Sequence, residues 1–195
     1  MLKLAIFDMD GTIFENNLNW TEIREQLKVR EGNSILKEIY KDGDIDLARL
    51  EILEKHEKEN TLKSVPIHGV LEFLDFLRKK NIQSVLVTNN NRENTDYLIN
   101  KYQLVFNMII TREMKLWKPD PDPFLYVMKT FGVTSGETFS IGDSHYDIKA
   151  SRCAEIPSIF IINNSTLAQK NEPGVVYFED YHDLIRILST NSRYF

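Results

Sequence analysis

The sequence predicts an α/β protein, a doubly wound parallel β-sheet with a small all-helical segment inserted near its start. Three observations predict it. Short apolar runs alternate with longer amphipathic stretches along most of the chain, the pattern of βαβ units joined by right-handed crossovers. Residues 15–65 break that rhythm with helical patterning and no strand. Polar groups then recur just past the ends of the apolar runs, where open parallel sheets assemble their ligand sites.

The strands are expected at 2–7, "SVLVT" (84–88), "MIIT" (108–111), "FSI" (139–141) and "SIFII" (158–162), with "VVYF" (175–178) as a further one. Helices are expected between them. In "HGVLEFLDFLRKKN" (68–81), Val70, Leu71, Leu74 and Leu77 form one stripe at helical spacing. "NRENTDYLINKYQL" (91–104), "DPFLYVMKTFG" (122–132), "SHYDIKASRCAE" (144–155) and "YHDLIRILS" (181–189) follow. Pro123 suits a first helical turn and Gly132 a C-cap. Within 15–65, Thr21 and Asn33 are expected N-caps, and Gly32 and Gly43 are expected helix stops. The domains expected are a core of residues 1–14 and 66–195 and a helical insert of residues 15–65.

Composition narrows the function. The 195 residues carry a net charge of −5, which argues against a nucleic-acid surface, since phosphate backbones reward clustered Lys and Arg. The apolar runs fall far short of the roughly 20 residues that cross a bilayer. "MLKLAIFD" lacks the pattern of a signal peptide. With Cys153 as the single cysteine, a reducing, cytoplasmic location is expected, and Cys153 is expected to be a small buried filler. His56, His68, His145 and His182 are read as too scattered for a metal cluster, and "EKHEKEN" (54–60) as a solvated helix surface.

The chemistry starts at "AIFDMDGTIFE" (5–15). Asp8 and Asp10 follow the first strand directly, two residues apart, so in extended chain both face the same way about 6.6 Å apart. Gly11 lets the chain turn away. A plain Asp-Gly turn is the alternative, and the other strand ends weigh against it. Thr88, Asn89 and Asn90 end the second strand. "KLWKPDPDPF" brings Lys118, and "IGDSHYD" brings Asp143 and Asp147. Two carboxylates about 4 Å apart repel by roughly 4 kcal/mol at an effective dielectric of 20, so converging aspartates call for a cation. Short carboxylates around a hard divalent ion suit Mg2+, and such a site usually meets a substrate phosphate.

"DMDGT" (8–12), Thr88 after its strand, Lys118 in "KPDPDPF" and "GDSHYD" (142–147) together resemble the signatures of the haloacid dehalogenase-like (HAD) hydrolases, specifically the phosphatase branch with a helical cap after the first strand. The four occur in the family's order, and the resemblance spans nearly the whole chain. It implies a Rossmann-like core with 15–65 as the cap, and a Mg2+-dependent phosphatase acting on a small phosphorylated metabolite such as a phospho-sugar, phosphoglycolate or a nucleotide.

By that resemblance Asp8 is the nucleophile that becomes an aspartyl-phosphate, and Asp10 the general acid and then base. Thr88, Asn89 and Lys118 hold the phosphoryl group. Asp8, Asp143 and the Asp10 carbonyl bind Mg2+, with Asp147 in support. Two departures stand out. Glu155 occupies a position where the family has Gly, implying a variant connection, and the insert is short, implying a reduced cap and a more open site. Trp20, Arg24, Lys28 and Arg30 are candidate cap contacts, with Arg24 and Lys28 sharing a helix face; a solvated basic face with Trp20 packing the cap is the alternative. A dehalogenase is disfavoured, because those relatives lack the second aspartate. A sugar phosphomutase and a non-catalytic binding module are the competing functions.

Overall fold

The computed structural model describes residues 1–163, 172–191 and 194. Among them the chain runs β1 (Leu4–Phe7), α1 (Trp20–Leu27), α2 (Ile35–Ile39), α3 (Leu47–Lys63), α4 (Val70–Lys79), β2 (Gln83–Val87), α5 (Arg92–Lys101), β3 (Met108–Ile110), α6 (Asp122–Phe131), β4 (Thr138–Gly142), α7 (His145–Cys153), β5 (Ser158–Ile162), β6 (Val175–Phe178) and α8 (Tyr181–Thr190). The strands form one parallel sheet in the order β3-β2-β1-β4-β5-β6. Strand order reverses direction on either side of β1, the place where doubly wound sheets open a crevice.

Each apolar run earns its place by being buried on both faces, as parallel strands require. In β1, Ala5 and Phe7 join the layer with Phe73 and Leu77 of α4, Leu98 of α5 and Leu184 of α8. Leu4 and Ile6 point the other way, into the layer with Phe124 and Val127 of α6 and Ala150 of α7. The alternation follows from the two-residue period of a strand. It places the residues after Phe7 at the sheet's carboxyl edge, near its middle.

Helices α1, α2 and α3 lie between β1 and α4 and close over an apolar cluster of their own, built from Ile23, Leu27, Ile35, Leu36, Ile39 and Leu53. The two chain segments leading into and out of them pair: Glu15 N–H donates to Val65 O, and Ile67 N–H to Ile13 O, each at 2.9 Å.

Several local expectations need correction. The side-chain caps of the insert are Asn19, Ser34 and Asp46, not Thr21 or Asn33; the chain enters each helix one to two residues away from those positions. Lys28 lies beyond the end of α1, in a left-handed conformation with φ 54°, so it shares no helix face with Arg24. Cys153 is exposed, because it ends α7 on the side facing away from the sheet while Ala150 and Ala154 turn inward. Glu155 adopts φ 58°, so the left-handed turn is present without a glycine. The long run expected to start at His68 begins at Val70, with Gly69 at φ 82° before it.

Candidate active site

Four junctions at the sheet's carboxyl edge supply the site. Asp8 leaves β1 with its N–H bonded to Ile141 O at 2.9 Å. The chain then folds into a tight loop in which Met9 O accepts from the N–H groups of Ile13 (2.9 Å) and Phe14 (3.0 Å). Gly11, at φ 84°, makes that loop possible, since side chains resist the left-handed region. Asp8 thereby stays at the edge of the sheet, and Asp10 projects towards the neighbouring β2 junction.

At that junction Thr88 is buried, its N–H bonded to Ile110 O and its Oγ1 accepting from Asn90 N–H at 3.0 Å. The asparagines divide the labour. Asn89 clamps the loop of Lys118 from both ends of its amide: Nδ2 donates to Lys118 O at 2.9 Å, and Oδ1 accepts from Lys118 N–H at 3.0 Å. Asn90 Nδ2 donates to Asp10 Oδ2 at 2.9 Å, while its Oδ1 accepts from Asn91 N–H and Asn94 Nδ2. Asn90 is therefore held rigidly while it orients the Asp10 carboxylate.

Lys118 arrives just before a cis peptide bond to Pro119. Only 4% exposed, it donates from Nζ to Asp8 Oδ1 and, at 2.7 Å, to Asp147 Oδ1. Asp147 sits in the first turn of α7, and its Oδ2 accepts from Ser144 N–H at 3.1 Å and Ser144 Oγ at 2.5 Å. Gly142, ending β4, must lack a side chain: a Cβ there would come within 2.3 Å of Asp147 Cγ. Carboxylate oxygens of Asp8, Asp143 and Asp147 lie within 4.8 Å of one another.

The electrostatics follow from this crowding. Burial pushes the Asp8 carboxyl up to about 7; Lys118 pulls it down, and Asp147 and Asp10 push further upward. Burial also raises the Asp10 carboxyl, against the hydrogen bond from Asn90. For Lys118 burial alone would favour the neutral amine, but Asp147 and Asp8 outweigh it and hold the ammonium protonated. Three acids and one amine thus leave an excess of negative oxygen in a shielded place. That donor set, all hard oxygen, fits a divalent cation of the Mg2+ type. Both oxygens of Asp147 accept from protein donors, Oδ1 from Lys118 and Oδ2 from Ser144, while Asp8 accepts from Lys118 at Oδ1 and from the Thr12 hydroxyl at Oδ2, 3.4 Å away.

The expected site residues Asp8, Asp10, Thr88, Asn89, Lys118, Asp143 and Asp147 come from these four neighbouring junctions. Asp8 is 9% exposed, and Asp10 and Asp143 are half-buried. Of the expected insert contacts, Arg24 reaches the site's rim: its Nη2 donates to Tyr146 Oη at 3.3 Å, and Nη1 to Arg30 O and Asn33 O. Trp20, Lys28 and Arg30 are exposed.

Four residues were missed: Asn90 in its partnership with Asp10, Ser144 beneath Asp147, and the buried pair Glu57–Arg112. The run "EKHEKEN" is not wholly solvated, because Glu57 and Asn60 of α3 are buried against the core. The histidines are not all scattered either. His68, His182 and Asp180 place ligand atoms within 4.8 Å of one another, because the segment before α4 meets the start of α8.

The profile of haloacid dehalogenase-like hydrolases matches residues 5–161, a span containing every one of these junctions. The chain belongs to that family. A haloacid dehalogenase-like hydrolase domain-containing protein of Arabidopsis thaliana is 27% identical over 158 residues, which is 75% of this chain and 64% of that protein's length. A phosphoglycolate phosphatase of Pseudomonas syringae pv. tomato is 29% identical, covering 94% of this chain and 78% of its own. Among solved structures, CbbY from Rhodobacter sphaeroides in complex with phosphate superposes with a TM-score of 0.73 at 16% identity, covering 94% of this chain and 96% of that one. That likeness is one of fold. In this HAD hydrolase the sheet order and the β1 edge agree with the architecture the sequence predicts.

Proposed function

We propose that this hydrolase is a Mg2+-dependent phosphatase that cleaves a small soluble phosphomonoester by way of an aspartyl-phosphate. The observation that carries it is the buried Lys118 bridging Asp8 and Asp147 beside an Asp10 that Asn90 holds in place. Phosphoryl transfer asks a protein mainly for in-line positioning and charge neutralisation, and these side chains are arranged for both.

In the first step an Asp8 carboxylate oxygen attacks phosphorus, forming a P–O bond to Asp8 as the bond to the ester oxygen breaks. Asp10, its carboxyl raised by burial, gives a proton to that departing oxygen, so the alcohol leaves neutral. In the second step Asp10, now a carboxylate, takes a proton from water as the water attacks phosphorus. The Asp8–phosphorus bond breaks, releasing inorganic phosphate and restoring both residues. Lys118 offsets negative charge on Asp8 and on the transferring oxygens throughout, and the Thr88 hydroxyl and neighbouring backbone N–H groups orient those oxygens. Asp8, Asp143 and the Asp10 main-chain carbonyl would hold Mg2+, with Asp147 fixing Lys118; the ion supplies charge neutralisation for nucleophile and phosphate. Residues 15–65 act as the cap over the leaving group.

Asp8→Asn keeps the side-chain shape and removes the nucleophilic charge. Its expected effect is loss of p-nitrophenyl phosphate turnover by three orders of magnitude or more, with an unchanged melting profile. Wild-type release should likewise stop on addition of a chelator and return with Mg2+. Turnover by Asp8→Asn near the wild-type rate would refute the nucleophile. Burial of Asp8 favours one other reading, a phosphomutase that keeps water away from the aspartyl-phosphate. Product analysis with a hexose 1-phosphate separates the two, as isomerised sugar phosphate or free phosphate.

A further inference from the structure

Among the described residues, a second group of side chains brings metal-ligand atoms within 4.8 Å of one another: His68, Asp180 and His182. It differs from the acids at the sheet's edge in chemistry and in exposure. His68 belongs to the segment before α4, and Asp180 and His182 bracket the first residue of α8. Main-chain contact joins the two segments, Tyr181 N–H donating to His68 O at 3.4 Å. They also pack closely. A Cβ on Gly69 would lie 3.2 Å from both Cε1 and Nδ1 of His182, so the bare main chain there sets the His182 ring in place. The His68 and His182 rings meet edge to face, their centroids 4.8 Å apart.

Asp180 is held at the same spot. Its Oδ1 accepts from Asp183 N–H at 2.9 Å as the N-cap of α8, and its Oδ2 faces His68 Nδ1 at 3.7 Å. A ligand carboxylate steadied by a hydrogen bond is the usual arrangement in metal sites. As an ion pair alone the contact is long, with side chains 78% and 40% exposed, and such pairs contribute little. The same exposure gives an ion an entry path and leaves room for water in its shell. Bonds of about 2.1 Å in a tetrahedral zinc site put ligand atoms roughly 3.4 Å apart. Small rotations of two exposed imidazoles reach that spacing.

The donor set selects the ion. Two imidazoles and one carboxylate suit a borderline ion such as Zn2+, whereas Mg2+ and Ca2+ prefer shells of oxygen. We propose that His68, Asp180 and His182 form a metal site for a divalent transition ion of the Zn2+ type, which clasps the start of α8 to the segment before α4. This site is separate from the Mg2+ site of the phosphatase reading and stands or falls independently of it. The clasp nonetheless borders that machinery. Tyr181, between two of the ligands, donates from its buried hydroxyl to Thr12 O at 2.9 Å, in the loop that carries Asp10.

The test uses the full chain without a histidine tag, stripped of metal and then kept in excess Mg2+ to compete at the acidic site. Calorimetric titration with Zn2+ should show one equivalent bound. In imidazole NMR spectra of the wild type, the His68 and His182 signals should move together and saturate at that equivalent, while His56 stays in place. His68→Gln and His182→Gln should each weaken Zn2+ binding by about tenfold or more. Zn2+ should raise the melting temperature of the wild type and leave both variants where they were. Both positions are exposed, so the variants should melt like the wild type when metal is absent, and the wild-type spectra decide the matter without them. Absence of Zn2+ uptake overturns the proposal. So does signal movement confined to His145, which lies two residues from Asp143, or Zn2+ binding that is unchanged in both variants.

Discussion

Asn90 Nδ2 holds one oxygen of Asp10 at 2.9 Å, and that single contact decides which way the proposed proton donor points. Asn90→Ala should therefore lower kcat by about tenfold or more while changing KM little, because the orientation matters most when the proton moves. Steady-state kinetics on p-nitrophenyl phosphate would show it; an unchanged kcat would remove the positioning role. Residues of this kind divide by how local their signal is. Asp8, Asp10, Asp143 and Asp147 were legible as candidates because short acids at strand ends have few structural uses. Asn90 was seen only as one of three adjacent asparagines in "VTNNN". Which of the three reaches Asp10, and which clamps Lys118, depends on side-chain directions after β2 that composition does not carry.

At the scale of an element, α3 holds the clearest departure from expectation. Its inward face is Leu53, Glu57, Asn60 and Thr61. Hydrophobic periodicity finds faces made of Leu and Ile, and a polar buried face looks like a solvated one. Burial makes this face measurable. The Glu57 carboxyl is pushed up to about 7 by burial, while Arg112 pulls it down and Asp10 and Glu54 push it up. Its ordinary value is 4.5. Between those values the folded protein binds more protons than the unfolded chain, so this group's contribution to stability is fully present below about pH 4.5 and is lost as pH rises through 7. Urea midpoints measured from pH 4.5 to 8 should fall more steeply for wild type than for Glu57→Gln. Parallel curves would show that Glu57 carries no such shift.

Across the whole molecule, one strand serves two layers and the site at once. Phe7 packs edge-on to Phe73 and Phe106, with ring centroids 5.9 Å apart in both pairs, one residue before Asp8. Phe7→Ala should lower unfolding free energy by about 3–5 kcal/mol, seen as a drop in denaturant midpoint. It should also lower turnover, since the strand end that aims Asp8 loses its packing. A loss under about 1 kcal/mol would mean that the layer collapses to fill the gap. No helix among the described residues is long and apolar enough to cross a membrane.

By itself the sequence determined the α/β class, the strand and helix segments within a residue or two at most boundaries, the position of the inserted helices, and the acids and lysine at the sheet's edge. These are properties of neighbours in the chain: period two against period 3.6, proline and glycine punctuation, and polar residues directly after apolar runs. Only the tertiary structure decided that Lys118 joins Asp8 to Asp147, that Asn90 serves Asp10, that His68 meets His182, and that Glu57 pairs with Arg112 from 55 residues away. Contacts between distant residues are fixed by strand order and packing, and their energies act through space, so no local pattern records them.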